Sequence, residues 1–323
     1  MLLLIIIGLI YYGCYRLYQH FFPSPNINPH GLYVLINGCN TELSHLLAIK
    51  LDQQGFNVFA GVLISDNVAL LKNKLSSRAT VFRLDITKEE DIDAAYELVK
   101  NKTEILHALI NNTEIIAGSY IDWTSLEVMR KVMDVNFFGH VAITKKFIPL
   151  LVAKQDSRVV NLSSISGIVS LRGTAAYSAS KYALESFSDC LRREMAPWNL
   201  RVSIIERFTI RTRFLENPED HIRKLLDELS NDVQERWGIN FLQNIIRQTN
   251  NQPLVFNFDD STKVIRVIKH AVMNTNPRIR YQPDWQSKLF VRFVRICPAY
   301  FIDKLLNLEV NSTPTGVHNQ QMN

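Results

Sequence analysis

Tyr177 and Lys181 are the residues whose types and spacing most directly suggest chemistry. They stand four positions apart in Tyr-Ser-Ala-Ser-Lys, and this spacing puts both side chains on one face of a helix. A phenol beside an ammonium group can act as a general acid and base, because the positive charge favours the phenolate and lowers a pKa that is otherwise about 10. The same pattern also fits a tyrosine packed within a helix and a solvated lysine, so other residues must decide between the two.

Two further polar residues precede this pair. Ser164 follows the apolar run at 158–162, which predicts a strand. Ligand sites in open α/β sheets lie beyond the carboxyl ends of the strands, so this hydroxyl could hold a substrate carbonyl or alcohol beside the phenol. Asn136 lies within a predicted helix, where Asn is a poor helix former. It is either a solvent-facing helix residue or the holder of a bound water in a proton relay.

The elements that would position these residues alternate along the chain. Short apolar runs and longer stretches of helical period follow one another in βαβαβ order, which predicts a parallel sheet covered by helices on both faces. Residues 213–250 break this order with two helical patterns, and we interpret them as an insertion. The predicted strands are 32–36, 57–63, 80–84, 107–110, 158–162, 201–205 and 279–281, and the predicted helices are 43–54, 66–75, 88–102, 125–153, 175–197 and 261–273.

Composition and charge limit the classes of function. The 323 residues are 47% apolar and 21% charged, as in globular proteins. Most of the net charge of +5 comes from residues 277–304, which hold six basic residues against two acidic ones. A basic excess confined to one apolar stretch argues against nucleic acid as a partner. The spacing of the four cysteines indicates neither a disulfide framework nor a metal site.

Asn136, Ser164, Tyr177 and Lys181, in this order, resemble the catalytic residues of the short-chain dehydrogenase/reductase family. Residues 84–86, 109–112 and 186–194 also resemble family segments, and the similarity runs from about residue 32 to about residue 306. The segments 282–285 and 288–290, followed by Pro298 and Leu305-Leu306, resemble the tail of the membrane-bound retinol and hydroxysteroid dehydrogenase branch. The resemblance implies a Rossmann-type, doubly wound parallel sheet in a single domain, with a helical insertion on the substrate side.

The resemblance also implies roles for individual residues. Tyr177 would be the general acid/base, and Lys181 would lower its pKa and hold the nicotinamide ribose. Ser164 would orient the reacting oxygen, and Asn136 would keep the relay water. The cofactor contacts would fall on Gly38, Asn40, Thr41, Leu43, Asp85, Asn112, Tyr177, Lys181 and Thr212.

Three segments on the cofactor side depart from the family pattern. The glycine-rich motif T-G-x-x-x-G-x-G is replaced by a segment, here called the nucleotide loop (residues 37–44), that keeps Gly38 but carries Glu42 and Ser44 in place of glycines. The N-N-A-G motif ends in Thr113-Glu114, and the P-G after the sixth strand is Arg207-Phe208. We expect the charge of Glu42, near a pyrophosphate, to weaken NAD(H) binding by about a hundredfold unless its side chain points outward. Replacing Glu42 by Gly should then tighten binding clearly, and Ser44→Gly should contribute less.

The end of the second strand favours NAD over NADP. No Lys or Arg follows it before Lys72, and the nucleotide loop has none, so a 2′-phosphate would find no cationic partner. Asp66 could accept a hydrogen bond from a ribose hydroxyl, but it could equally cap the next helix.

The chain also carries features of a membrane protein. Residues 1–22 form an apolar segment rich in tyrosine, and we predict an uncleaved anchor followed by a linker at 23–30, a dehydrogenase domain at 31–310 and a flexible end at 311–323. Within the domain, residues 285–309 should form a membrane-associated tail in which the apolar residues 289–291, 293, 294 and 296 lie beside Lys288, Arg292 and Arg295. The alternative is a helix packed on the body with solvated basic residues.

These features lead to two functional hypotheses. The first is an oxidoreductase of a membrane, most consistent with the endoplasmic reticulum, that transfers a hydride between NAD(H) and the alcohol or carbonyl group of a retinoid or steroid. The family resemblance would also allow a homodimer. The second is a catalytically weak or inactive family member that serves as a membrane-bound lipid-binding or scaffold protein. The catalytic residues favour the first, and the departures from the cofactor motifs favour the second.

Overall fold

A computed structural model describes residues 24–207, 229–241 and 260–307, with scattered positions at 6–21, 243–244, 314 and 317. Its centre is one sheet of seven strands in the order β3-β2-β1-β4-β5-β6-β7, and every pairing of neighbouring strands is parallel. This confirms the predicted Rossmann-type sheet. The strands are β1 (Tyr33–Ile36), β2 (Asn57–Val62), β3 (Thr80–Arg83), β4 (Ala108–Asn111), β5 (Arg158–Ser164), β6 (Arg201–Arg207) and β7 (Arg280–Tyr281).

Helices cover both faces of the sheet, so each strand sends alternate side chains into two cores. In β1, Val34 and Ile36 join one core and Leu35 joins the other. The first core is closed by α1 (Glu42–Gln54) and α8 (Ser261–Met273), and the second by α3 (Glu89–Lys100), α5 (Gly139–Val152) and α6 (Ala175–Glu194). The described part of the chain also contains α2 (Asp66–Lys72), α4 (Leu126–Met133), α7 (Asn231–Trp237), α9 (Trp285–Ile296) and α10 (Ala299–Asn307).

The carboxyl ends of β4, β5 and β6 lie side by side at one edge of the sheet. Both β5 and β6 extend two residues beyond the predicted limits, and their register pairs Ser164 with Arg207. Asn111, the last residue of β4, pairs with Asn161 of β5. Because the strands are parallel, the segments that follow them meet at this edge, where the candidate site forms.

The predicted helix at 125–153 is present but is interrupted by a π-helical turn. Helix α4, the turn Asp134–Phe138 and α5 form one continuous helical run. By length and composition Leu126–Val152 is the one helix among the described residues that could cross a membrane, but 44% of its apolar window is buried within the domain. Here this run packs against the sheet as a core helix.

Several predictions fall on residues that the structure does not describe. These are most of the anchor at 1–22, residue Thr212 and the first part of the insertion, up to residue 228. The described part of the insertion contains α7. Trp237 of α7 packs with Tyr120, Trp123 and Phe241 in an aromatic cluster, and the closest pair of rings, Tyr120 and Trp123, has centroids 4.3 Å apart.

Candidate active site

Tyr177 and Lys181 lie together on the buried face of α6. Both side chains are almost completely excluded from solvent, and Lys181 Nζ lies 5.4 Å from the centroid of the Tyr177 ring. The ammonium group donates a hydrogen bond to the carbonyl oxygen of Leu162, at 3.0 Å. The arrangement of a packed tyrosine with a solvated lysine is therefore excluded, because the lysine is inside the protein.

Ser164 lies beside this pair, as the strand assignment predicts. It is the last residue of β5 and is buried. The Ser164 hydroxyl lowers the pKa of the Tyr177 phenol, in opposition to burial, and it accepts a hydrogen bond of 3.1 Å from the backbone N–H of Ser166. The sheet edge thus brings a hydroxyl and a phenol to the same point.

Asn136 sits in the π-helical turn and is completely buried, so the solvent-facing interpretation is wrong. Its Oδ1 accepts a hydrogen bond from the N–H of Ile115 at 2.8 Å, and its Nδ2 donates to the Ile115 carbonyl at 2.9 Å and to Ser180 Oγ at 3.1 Å. Both amide hydrogens are used, which leaves a lone pair on Oδ1 for a water. The π turn aims this side chain at the loop after β4, an example of such turns at functional sites.

Glu114 is the main residue of this site to which the sequence interpretation assigned no catalytic contact. Its Oε2 lies 2.6 Å from Lys181 Nζ and accepts a hydrogen bond of 3.1 Å from the Tyr177 hydroxyl. Its Oε1 forms a close ion pair with the guanidinium group of Arg207, which is also buried. The signal in the sequence was that Glu114 and Arg207 both stand where the family motifs have uncharged residues.

The charges set the protonation states of this group. Burial raises the pKa of Glu114, but the charges of Lys181 and Arg207 outweigh burial and lower the pKa to about 2. Burial and the Glu114 charge hold the pKa of Tyr177 well above its usual value. Burial lowers the pKa of Lys181, against the attraction of Glu114. The expected lowering of the Tyr177 pKa is therefore not found in this arrangement, because burial and the charge of Glu114 both disfavour the phenolate.

A cavity of about 810 Å³ opens at the same edge of the sheet. Of the predicted cofactor contacts, Gly38, Asn40, Thr41, Leu43, Asp85 and Asn112 line it. Gly38 has a φ of +72°, and a Cβ atom there would lie 2.6 Å from the Thr113 Cα, so the chain needs glycine at this point. The lining of the cavity thus combines a glycine, polar groups and apolar residues. This combination fits the adenosine and phosphate portions of a dinucleotide.

The nucleotide loop carries Glu42 and Ser44 where the family motif has glycines. Thr41 and Ser44 form a capping box at the start of α1: Ser44 N donates to Thr41 Oγ1 at 3.3 Å, and Thr41 N donates to Ser44 Oγ at 3.0 Å. Glu42 is exposed and is not among the described residues that line the cavity. The expected repulsion requires Glu42 to face the pyrophosphate, and the exposure of Glu42 means that solvent can screen its charge. Asp66 is likewise exposed, at the first position of α2.

The fold and the site define an α/β protein with a dinucleotide-type cavity beside a Tyr–Lys–Ser centre, the class of the nicotinamide-dependent oxidoreductases. The family model for short chain dehydrogenase matches residues 32–222. The chain is 37% identical to mouse (Mus musculus) retinol dehydrogenase 7, over 85% of this chain and 87% of the relative. It is 35% identical to mouse estradiol 17-beta-dehydrogenase 2, over 87% of this chain and 76% of the relative. The chain belongs to the short-chain dehydrogenase family and is an oxidoreductase by that membership.

Solved structures show the same fold. A short chain dehydrogenase/reductase from Burkholderia phymatum, solved in complex with NAD, superposes with a TM-score of 0.68 at 17% identity, covering 89% of this chain and 99% of that one. A short-chain dehydrogenase from Streptomyces avermitilis gives a TM-score of 0.65 at 22% identity, covering 86% and 94%. At these identities the comparison establishes the fold.

Proposed function

We propose that this protein transfers a hydride between NAD(H) and an alcohol or carbonyl group of an apolar substrate of the retinoid or steroid class. The observation that carries the proposal is the meeting of Tyr177, Lys181 and Ser164 at the sheet edge beside the 810 Å³ cavity. The names of the two mouse relatives, a retinol and an estradiol dehydrogenase, support the substrate class. The aromatic cluster of Tyr120, Trp123, Trp237 and Phe241 packs the described part of the insertion against the domain.

The chain's own residues would divide the work as follows. Gly38, Asn40 and Asn112 would hold the phosphate and ribose portions of the cofactor, which supplies or accepts the hydride when bound. Tyr177 Oη would exchange a proton with the substrate oxygen, and Ser164 would hold that oxygen in place. Lys181 would contact the nicotinamide ribose. Because the phenol now donates to Glu114, proton exchange with a substrate requires this hydrogen bond to break.

Turnover of representative alcohols tests the proposal. Purified protein with NAD⁺ should form NADH on addition of all-trans-retinol or estradiol, measured by absorbance. Tyr177→Phe should lower this turnover by about 10²-fold or more. Tyr182→Phe is a matched control, because Tyr182 lies on the same helix and its hydroxyl donates a hydrogen bond to the Ile168 carbonyl. Equal turnover by the wild type and Tyr177→Phe would contradict the proposal.

A second function is favoured by the engagement of Glu114. Its carboxylate binds both the ammonium group of Lys181 and the phenol of Tyr177. This arrangement fits a catalytically weak or inactive family member that binds lipid or acts as a scaffold at a membrane. Failure of NADH to bind at millimolar concentration, with retinoid still bound, would favour this function over the first.

We also propose that the tail docks on a membrane surface. On α9, the residues Trp285, Leu289, Phe293 and Ile296 are between 42% and 82% exposed and follow helical spacing, and here they are called the apolar tail face. The opposite side of α9 packs on the body through Phe290, Val291 and Val294. The apolar residues of the predicted membrane contact therefore form two groups. One group is exposed on the apolar tail face, and the other packs on the body. Arg295 is less available for a membrane contact than the sequence suggests, because it forms a 3.1 Å ion pair with buried Glu206.

Vesicle flotation tests the docking of the tail. Protein lacking residues 1–22 should float with vesicles of phosphatidylcholine and phosphatidylserine, and salt should weaken the association through Lys288 and Arg292. Leu289→Ser should reduce flotation. Leu70→Ser is the matched control, because Leu70 is 58% exposed against 60% for Leu289 but lies on α2. An equal loss in both variants, or no flotation of the truncated protein, would contradict tail docking.

A further inference from the structure

Two of the three departures from the family motifs meet inside the active site. Glu114 lies in the segment after β4, and Arg207 is the last residue of β6. The register places Arg207 beside Ser164 of the intervening strand, so the Glu114–Arg207 ion pair reaches across the end of β5. A carboxylate and a guanidinium that replace uncharged motif residues are thus each other's partner, and together they add no net charge to the site.

The carboxylate engages both groups that the reaction needs. Oε2 alone bridges Lys181 Nζ, at 2.6 Å, and the Tyr177 hydroxyl, at 3.1 Å. A phenol has one proton to donate, and here it is directed at Glu114 rather than at a substrate oxygen. One of the three N–H groups of Lys181 is used by the Leu162 carbonyl, and a second faces Glu114. A ribose hydroxyl would have to compete for these donors.

The backbone that carries Glu114 is fixed on both sides. Asn37 Oδ1 accepts hydrogen bonds of 2.9 Å from the N–H and from the hydroxyl of Thr113, the residue before it. Asn136 holds both backbone polar groups of Ile115, the residue after it. The carboxylate can therefore leave the phenol and ammonium only by rotation of its own side chain, which separates it from two cations.

Glu114 is not suited to act as a relay base in this position. Its pKa of about 2 and the raised pKa of Tyr177 keep the shared proton on the phenol at neutral pH. A group that rarely accepts the proton cannot pass it on efficiently. Instead, the carboxylate accepts a hydrogen bond from the Tyr177 hydroxyl and forms an ion pair with the Lys181 ammonium group.

We propose that Glu114, anchored by Arg207, is a resident ligand of the Lys181–Tyr177 pair that competes with the dinucleotide cofactor and restrains the activity of the site. The inference rests on the proposed function, since it assumes that a nicotinamide cofactor enters this cavity. It also assigns the weak cofactor binding expected from the sequence to a different residue, Glu114 rather than Glu42.

Calorimetric titration of NADH tests the competition. Glu114→Gln keeps the shape and one acceptor oxygen of the side chain but removes the charge, and it should lower the Kd for NADH by about tenfold or more. Glu194→Gln is the matched control, because Glu194 is an exposed acid at the end of α6 and is not among the described residues that line the cavity. It should change the Kd by no more than about twofold, since exposed charges are screened.

Ionisation of Tyr177 provides a readout in the absence of cofactor. Among the described residues, the titratable and charged groups that act on Tyr177 and Lys181 are Glu114, Arg207, Glu185 and neutral His140, whose pKa burial lowers to about 3. Removing the Glu114 charge while both cations remain should favour the phenolate, so Tyr177 should ionise at lower pH in Glu114→Gln than in the wild type. The signal is the phenolate absorbance of each protein minus that of its Tyr177→Phe counterpart.

The outcomes separate this inference from the proposed function. Tighter NADH binding together with earlier Tyr177 ionisation supports it. An unchanged or weaker NADH affinity in Glu114→Gln overturns it, and so does unchanged Tyr177 ionisation. If Glu114→Gln does not fold, the double variant Glu114→Gln/Arg207→Met removes both charges and should show the same tightening. The proposed function fails instead when NADH binds but no retinoid or steroid alcohol is turned over.

Discussion

The nucleotide loop and the proton-transfer centre depart from the short-chain dehydrogenase pattern in opposite ways. The loop carries side chains in place of two glycines of the motif, yet Ser44 forms a capping box with Thr41 and Glu42 is exposed. The centre keeps Tyr177 and Lys181 unchanged, yet its electrostatics differ, because Glu114 lies between them. The substitutions in the nucleotide loop thus form hydrogen bonds within the loop or are exposed to solvent, whereas Glu114 contacts the catalytic residues directly.

The largest effect should come from the phenol itself. Tyr177→Phe removes the proton donor and keeps the ring, so turnover of an accepted alcohol should fall by about 10²-fold or more while the Kd for NADH changes little. The measurement is kcat together with calorimetric NADH binding. A similar fall in Tyr182→Phe would show that the loss comes from α6 as a whole and not from the phenol.

The next effect concerns the anchor of the carboxylate. Arg207→Met leaves Glu114 with one cation in a largely buried site, and the free energy of unfolding should fall by about 2 kcal/mol. This is below the loss typical of a fully buried pair, because the Glu114 side chain is 18% exposed and Lys181 remains. Urea unfolding measures the change. The double variant Glu114→Gln/Arg207→Met should recover part of it, and a double variant that is less stable than Arg207→Met would contradict the pairing.

The pH dependence of stability should report the same carboxylate. The pKa of Glu114 is lowered from 4.5 to about 2 in the folded protein, so the folded state binds fewer protons than the unfolded state between these values. The stabilisation by Glu114 is present above pH 4.5 and is lost as the pH falls towards 2. Urea unfolding at several acidic pH values should show the difference in stability between the wild type and Glu114→Gln shrinking in this window. A difference that is constant there would contradict a salt-bridged carboxylate.

The smallest effects should come from the nucleotide loop. Ser44→Gly breaks the capping box and should lower the free energy of unfolding by about 1 kcal/mol. Glu42→Gly should change the Kd for NADH by no more than about threefold, since an exposed charge is screened. Urea unfolding and NADH calorimetry measure the two changes. A tightening in Glu42→Gly that equals that in Glu114→Gln would remove the contrast between the two regions.

Much of the fold could be predicted because its signals are local. Apolar runs such as residues 57–62 and the helical period of residues 261–273 appear in the structure within a residue or two of their predicted limits. The extra length of β5 and β6 could not be predicted, because Ser163, Ser164 and Arg207 are polar. These residues are part of the strands because β5 and β6 pair with each other along this stretch. Tertiary context overrides local preference at such positions.

The sequence by itself determined the parallel α/β sheet, since the sheet depends on periodicity along the chain. The order of Asn136, Ser164, Tyr177 and Lys181 carried the resemblance to the family. Only the tertiary structure decided which departures matter. Glu114 and Glu42 look alike as charged replacements of glycine, and nothing in their immediate neighbours shows that one faces solvent and the other faces Lys181. That difference comes from Arg207, 93 positions away along the chain, which the sheet register brings to the same edge. The energy of an interaction between two charges depends on their separation in space, and the folded sheet sets that separation.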